Sequence, residues 1–102
     1  SKKRQAIMSE YHTLIDKLIY LCGNISELSG KRPDYLSNYQ TEPHHLEGRI
    51  GGLLTDPFNI ILLCRDEHSA IQENRSGYTK EYLLWLVKSI RSRQGFKEVN
   101  YD

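Results

Sequence analysis

The sequence has few of the features that mark extracellular or membrane proteins. Its 102 residues contain only two cysteines, Cys22 and Cys64, which are too few for a disulfide framework. No apolar run approaches the ~20 residues that cross a bilayer, so we expect no membrane partner. No export signal is visible either, so we expect a cytoplasmic protein with reduced thiols.

Charge of one sign is also scarce, since the formal net charge is only +1. Any basic surface that meets nucleic acid must therefore be local. Lysine and arginine cluster at residues 2–4 and again at Lys88, Arg91, Arg93 and Lys97. Such clusters are either solvated or in contact with a phosphate backbone, and the sequence leaves both interpretations open.

Two amphipathic segments flank the middle of the chain. Residues 1–102 are short enough to form one domain, and they begin at Ser1 without a methionine, so we expect a trimmed chain or a module of a larger protein. Apolar residues at three- and four-residue spacing predict a helix over residues 6–22. The same spacing predicts a helix over residues 79–94, with Thr79 as its N-cap.

The middle third, residues 39–74, predicts a strand, a glycine loop, a second strand and a short helix. The first strand, residues 39–46, contains Pro43, which favours an edge position. The second, residues 59–64, is an apolar run whose isoleucines favour a strand, although periodicity alone does not separate it from a buried helix. Asp66 is predicted to cap the short helix. The unit is too small to bury a core alone, so it needs the terminal helices or a metal.

Three histidines and one asparagine fall on this unit. His44 and His45 are adjacent on the first strand, so their side chains point to opposite faces. One of them can therefore face a metal bound by His68 while the other does something else. Neutral imidazole is both a metal ligand and a natural general base near pH 7, but the same nitrogen cannot serve both roles. Each residue alone, Asn59 included, has an ordinary structural explanation.

Four short segments of the middle third follow one another in the order of a sequence motif. They are EPHHL at residues 42–46, GG at 51–52, DPFNI at 56–60 and LCRDEH at 63–68. Together they resemble the motif of the HNH endonuclease family over about a third of the chain. The resemblance implies an α+β fold, a small ββα-metal core flanked by N- and C-terminal helices. It also implies an enzyme that hydrolyses DNA phosphodiesters to 5′-phosphate and 3′-hydroxyl ends.

The resemblance further implies a role for each site residue. His44 and His68 are similar to the two metal ligands of the family. His45 is similar to the general base that deprotonates the attacking water, and Asn59 to the residue that braces the loop and orients that base. Arg49, in the loop after His45, would either stabilise the scissile phosphate or be solvated.

One divalent ion is the expected cofactor. Two histidines leave room for waters and substrate oxygens, which favours Mg²⁺ or Mn²⁺ in an open site. Histidine ligation also admits Zn²⁺ or Ni²⁺. Some family members place a third histidine one turn after the helical one, and here that position is Gln72, either a weak ligand or an exposed helix residue.

A second, structural zinc is not expected. Many family members hold it with two Cys-x-x-Cys pairs, but here Ile19 and Glu67 stand where the partners of Cys22 and Cys64 would be. Two thiolates do not complete a tetrahedral zinc site. We therefore expect both cysteines to be small buried side chains, in contact with each other or not, with helix packing in place of the zinc.

Three functions stay open at this level. The first is a nicking or double-strand DNA endonuclease of bacterial or phage origin, either a restriction-type enzyme or the catalytic module of a longer protein. The second is a catalytically weak or inactive DNA-binding module that keeps the ββα shape. The third is a structural or interaction domain, favoured only by the near-neutral charge. A double-strand cut by one site would suggest a homodimer or two sequential nicks.

Overall fold

The computed structural model describes residues 1–99, and in this part the chain forms three α-helices and a two-stranded antiparallel sheet. In chain order the elements are α1 (Lys2–Cys22), β1 (Glu42–His45), β2 (Ile60–Leu63), α2 (Arg65–Gln72) and α3 (Lys80–Arg93). Short 3₁₀ turns cover Tyr35–Ser37, Gly51–Thr55 and Pro57–Asn59. The α+β class and the two terminal helices are thus confirmed. Within residues 1–99, no helix is long and apolar enough to cross a membrane.

The register of the sheet explains the proline in β1. Pro43 lies opposite Leu62, and His44 lies opposite Ile61. The N–H and C=O of Leu62 point away from β1, because both bond to Glu27. Pro43 and Leu62 are therefore a non-hydrogen-bonded pair of the antiparallel ladder. Because no N–H is needed at this position, the proline costs no hydrogen bond within the sheet.

The core is split by β2, whose four side chains are all fully buried. Ile60 and Leu62 pack with Tyr11, Ile15 and Leu18 of α1. Ile61 and Leu63 pack with Leu46, the residue after β1, and with Leu83 and Val87 of α3. Because alternate residues serve opposite faces, a strand buried on both sides reads as a continuous apolar run. The terminal helices are therefore the packing partners that the central unit needs.

The first helix starts earlier than its apolar stripe indicates. Helix α1 begins at Lys2, after the Ser1 hydroxyl, which accepts a hydrogen bond from the N–H of Arg4. Residues 2–5 are polar but favour helix by propensity, so the capped first turn extends beyond the buried face. Gly23 ends the helix in the left-handed conformation, with φ of 69°. Thr79 caps α3 as predicted.

The start of α2 was predicted wrongly. Its N-cap is Cys64 rather than Asp66, and the helix ends at Gln72. The Glu67 carboxylate accepts a hydrogen bond from the N–H of Cys64 at 2.9 Å, which completes a capping box two residues earlier than expected. Asp66 instead lies in the first turn and pairs with Lys31. Both strands are also shorter than predicted, because β1 covers only Glu42–His45 and Asn59 belongs to the turn before β2.

Candidate histidine site

His44 and His68 come together, although 24 positions separate them in the sequence. Strand β1 presents His44 and the first turn of α2 presents His68, because α2 follows directly from β2, the strand paired with β1. The two ring centroids lie 5.0 Å apart, with an interplanar angle of 64°. Both side chains are half-buried. The pair therefore offers two imidazoles to one small volume beside the sheet.

Glu42 fixes the orientation of the His68 ring. It lies on the same face of β1 as His44, and its Oε1 is 3.1 Å from Nδ1 of His68. Its other oxygen accepts from Nε of Arg65 at 2.7 Å. Burial alone would raise the pKa of the Glu42 carboxyl, but the hydrogen bonds from His68 and Arg65 outweigh it and hold that pKa below its usual value. An ionised carboxylate only accepts, so Nδ1 donates and Nε2 of His68 is left for a metal.

His44 is held in the neutral form that a metal ligand must have. Burial, reinforced by the nearby imidazoles of His68 and His45, lowers the pKa of His44 from 6.5 to about 4. Two imidazoles, one kept neutral by burial and the other oriented by a carboxylate, suit a divalent ion. The donor set at this site is therefore one that can hold a divalent ion.

Room for a ligand lies directly beside His44. A pocket of about 250 Å³ opens there, and Asn74, Tyr78 and Lys80 also line it. Lys80 also forms a surface ion pair with Glu47, at 3.2 Å. A polar molecule that enters this pocket meets an imidazole and an ammonium group together.

His45 faces the other way, toward α1. Its ring centroid is 5.7 Å from that of Tyr11, and Nε2 is the one buried side-chain nitrogen or oxygen without a hydrogen-bond partner among residues 1–99. Burial lowers the pKa of His45, and the Arg49 charge lowers it further, against a backbone hydrogen bond at Leu54 that raises it. Since Nε2 has no partner, the Leu54 contact falls to Nδ1. The ring is therefore neutral near pH 7, with one unpaired nitrogen.

Asn59 closes the loop that follows His45. Its Oδ1 accepts from the N–H of Glu47 at 2.6 Å, and its Nδ2 donates to the carbonyls of Gly48 and Leu53 at 2.7 Å and 3.0 Å. The side chain is buried, with 2% exposure. Its backbone C=O also accepts from Leu46 N–H. The amide thus ties both ends of residues 47–53 to the start of β2.

Two other residues of the prediction lie at the surface. Arg49 is exposed, and its guanidinium carbon lies 5.6 Å from the ring centroid of Tyr11, next to His45. Gln72 is exposed in the last position of α2. The structure therefore gathers Arg49 with the general-base candidate, whereas ligation by Gln72 stays a prediction.

The residues around Cys64 are engaged in contacts with other protein groups. Cys64, Asp66 and Glu67 are the one group of three close metal-ligating side chains in residues 1–99. However, Glu67 caps α2 and also accepts from the Ser29 hydroxyl, while Asp66 pairs with Lys31. Burial, and the Glu67 carboxylate, raise the pKa of the Cys64 thiol, which disfavours the thiolate that a metal needs. The group is therefore a weak candidate for a metal.

Sequence reasoning missed a buried ion pair between Arg91 and Glu27. The two side chains are 0% and 2% exposed, and Arg91 Nη1 lies 2.6 Å from Oε2 of Glu27. The interpretation of Arg91 as part of a basic surface cluster is therefore wrong. A signal was available, because Leu83, Val87 and Arg91 follow at four-residue spacing on the buried face of α3.

Comparisons with known proteins add no assignment. No family model, no curated protein and no solved structure matches this chain.

Proposed function

We propose that this chain is a metal-dependent DNA endonuclease domain of the HNH type. It would hydrolyse phosphodiesters to 5′-phosphate and 3′-hydroxyl ends. The observation that carries the proposal is the meeting of His44 with His68, while Glu42 holds the second nitrogen of the His68 ring. Binding of DNA alone does not require metal ligands, whereas metal-assisted hydrolysis needs side chains that hold the ion.

His44 and His68 would hold one divalent ion, Mg²⁺ or Mn²⁺ in the first instance and Zn²⁺ or Ni²⁺ as alternatives. When bound, such an ion supplies Lewis-acid stabilisation of the charge that develops on phosphate oxygens. Glu42 would keep the His68 ring in the ligating tautomer. The pocket beside His44 would admit the phosphodiester.

His45 would accept a proton from water at Nε2. Its lowered pKa keeps the ring neutral near pH 7, so the nitrogen can act as a base. Asn59 would hold the loop behind this ring, and the exposed Arg49 would contact the phosphate. Because Nε2 is covered in this structure, a neighbouring side chain must move before the base meets water.

The direct test is plasmid cleavage with Mg²⁺, Mn²⁺, Ni²⁺ or EDTA, comparing the wild type with His45→Ala. We expect metal-dependent cleavage that falls about 100- to 10,000-fold in the variant, as for loss of a general base. His12→Ala is the matched control, because His12 is exposed on α1 and should leave cleavage unchanged. Cleavage that survives His45→Ala undiminished would remove His45 from its role.

A catalytically weak or inactive DNA-binding module is the second candidate. The burial of His45 Nε2 favours it, since a base must reach water. In that case the protein binds DNA but cuts with none of the metals. A cytoplasmic location and a homodimer that makes double-strand cuts also remain predictions.

A further inference from the structure

Arg91 uses every hydrogen-bond donor that an arginine has. Nε donates to the carbonyl of Pro57 at 2.9 Å, and Nη2 donates to the carbonyl of Ile60 at 2.8 Å. The other three donors meet Glu27 Oε1 and Oε2 and the side-chain oxygen of Gln94, at 2.7, 2.6 and 2.9 Å. A guanidinium has five N–H groups, and all five are satisfied here without water.

The two carbonyls that Arg91 binds enclose the turn that carries Asn59. Pro57–Asn59 is a 3₁₀ turn, and Ile60 follows it as the first residue of β2. Glu27 also binds the backbone of β2. Its N–H donates to the Leu62 carbonyl and its Oε1 accepts from Leu62 N–H, each at 2.9 Å. A single buried ion pair on α3 and the 23–41 connection thus fixes both ends of the turn.

We infer that Arg91 is a positioning residue, which together with Glu27 sets the Asn59 turn and through it the loop next to His45. The route is continuous: Arg91 holds the turn, Asn59 holds Glu47, Gly48 and Leu53, and these three residues belong to the loop that follows His45. The catalytic part of this inference rests on the proposed function. The positioning part does not, because it concerns only the described contacts.

The chemistry of the side chain explains why arginine is needed. Lysine carries the same charge but has three donors from one point, so it cannot reach two carbonyls and both carboxylate oxygens in one plane. The planar fork also fixes the directions of its bonds. Arg91→Lys should therefore keep the buried charge pair but loosen the turn.

The first experiment measures amide hydrogen exchange in Arg91→Lys. We expect protection of the Glu47 N–H, which Asn59 binds, to fall roughly ten-fold more than protection of the core Leu18 N–H. The matched control is Thr79→Ala, which removes the cap of the same helix without touching the turn. In the control, Glu47 protection should fall no more than that of Leu18. The same result in Arg91→Lys would overturn the positioning inference.

A second variant keeps the inference testable if Arg91→Lys does not fold. Glu27→Gln combined with Arg91→Met removes both charges and keeps an acceptor for Leu62 N–H, so no ion is left buried alone. We expect this double variant to fold and to show the same selective loss of Glu47 protection. On plasmid DNA we expect kcat to fall roughly ten-fold or more with KM little changed, since DNA contacts are intact.

The outcomes separate the two proposals. If the wild type cuts no DNA, the proposed function fails, but the exchange data still judge the positioning role. If the wild type cuts DNA and the folded double variant keeps its kcat and its Glu47 protection, Arg91 only stabilises the fold and the inference is wrong.

Discussion

Two polar clusters lie close to the same short sheet but differ in their burial and in how completely they are hydrogen-bonded. The histidine cluster (Glu42, His44 and His68) is half-buried, and within residues 1–99 it leaves ring nitrogens without hydrogen-bond partners. The arginine cluster (Glu27, Asn59 and Arg91) is sealed from solvent, and its donors and acceptors meet protein groups.

This difference in burial and hydrogen bonding separates a cluster that supports the backbone from one that can bind a ligand. Buried polar groups are costly unless they are satisfied, so a sealed cluster with complete pairing serves to fix backbone positions. A cluster with accessible imidazole nitrogens keeps bonding capacity for an ion or substrate. His45 lies between these extremes, since its Nε2 is buried but has no hydrogen-bond partner within residues 1–99. The following predictions test this division, from the largest effect to the smallest.

Arg91→Ala should be the most damaging single change to stability. It leaves the Glu27 carboxylate buried without its cation and strips two carbonyls of their donors. We expect a loss of about 3–5 kcal/mol in the free energy of unfolding, measured with urea. Arg93→Ala, two residues on and exposed, is the control and should change it by less than about 0.5 kcal/mol. Equal effects would contradict the distinction between the clusters.

Asn59→Ala should cost less, about 2–3 kcal/mol, because three hydrogen bonds to neutral backbone groups are lost. Asn59→Asp makes a sharper comparison, since it keeps the acceptor for Glu47 N–H but loses both donors. Urea unfolding of both variants should show whether the two carbonyls, Gly48 and Leu53, matter. A fully stable Asn59→Ala would show that the loop does not depend on this amide.

Glu42→Gln tests the histidine cluster without disturbing the core. The amide keeps an acceptor for His68 Nδ1 but loses the charge that stabilises the ligating ring. We expect Mn²⁺ affinity to fall about 10- to 100-fold by calorimetry, with little change in unfolding free energy. Glu47→Gln, an exposed carboxylate paired with Lys80, should leave affinity unchanged. Equal affinity in Glu42→Gln and wild type would place the metal elsewhere.

The smallest effect concerns pH. The folded state holds the pKa of His44 at about 4, below its ordinary value of 6.5, so between these values the unfolded chain binds more protons. Stability should therefore be full above pH 6.5 and fall as the pH drops toward 4. Urea midpoints at pH 7.5 and pH 5 should show this loss, and His44→Gln should reduce it. His12→Gln, at an exposed position, should not.

Much of the fold was predictable because hydrophobic periodicity is a direct record of burial. The stripes of α1 and α3 and the apolar run of β2 each pack as their spacing indicates. Helix ends were less predictable, because they depend on side chains that compete for the same N–H groups. At the start of α2 the Glu67 side chain accepts a hydrogen bond from the Cys64 N–H. The sequence does not show whether Glu67 or Asp66 would stabilise this helix end.

The candidate site divides in the same way. The meeting of His44 with His68 followed from strand alternation and from the order of the motif. The support behind Asn59 did not, because Glu27 and Arg91 are 64 positions apart and each alone reads as a surface charge. Only tertiary structure brings such a pair together, and only the buried position of Arg91 on α3 hinted at it.

The position of Glu27 has one more consequence, for association between chains. A two-stranded sheet has two open edges, and an open edge invites pairing with another strand. Glu27 fills the outer edge of β2 at Leu62 with one backbone N–H and one carboxylate oxygen. A second copy could not extend the sheet there without breaking a buried ion pair. A strand from a second copy could therefore add to the sheet only at the β1 edge.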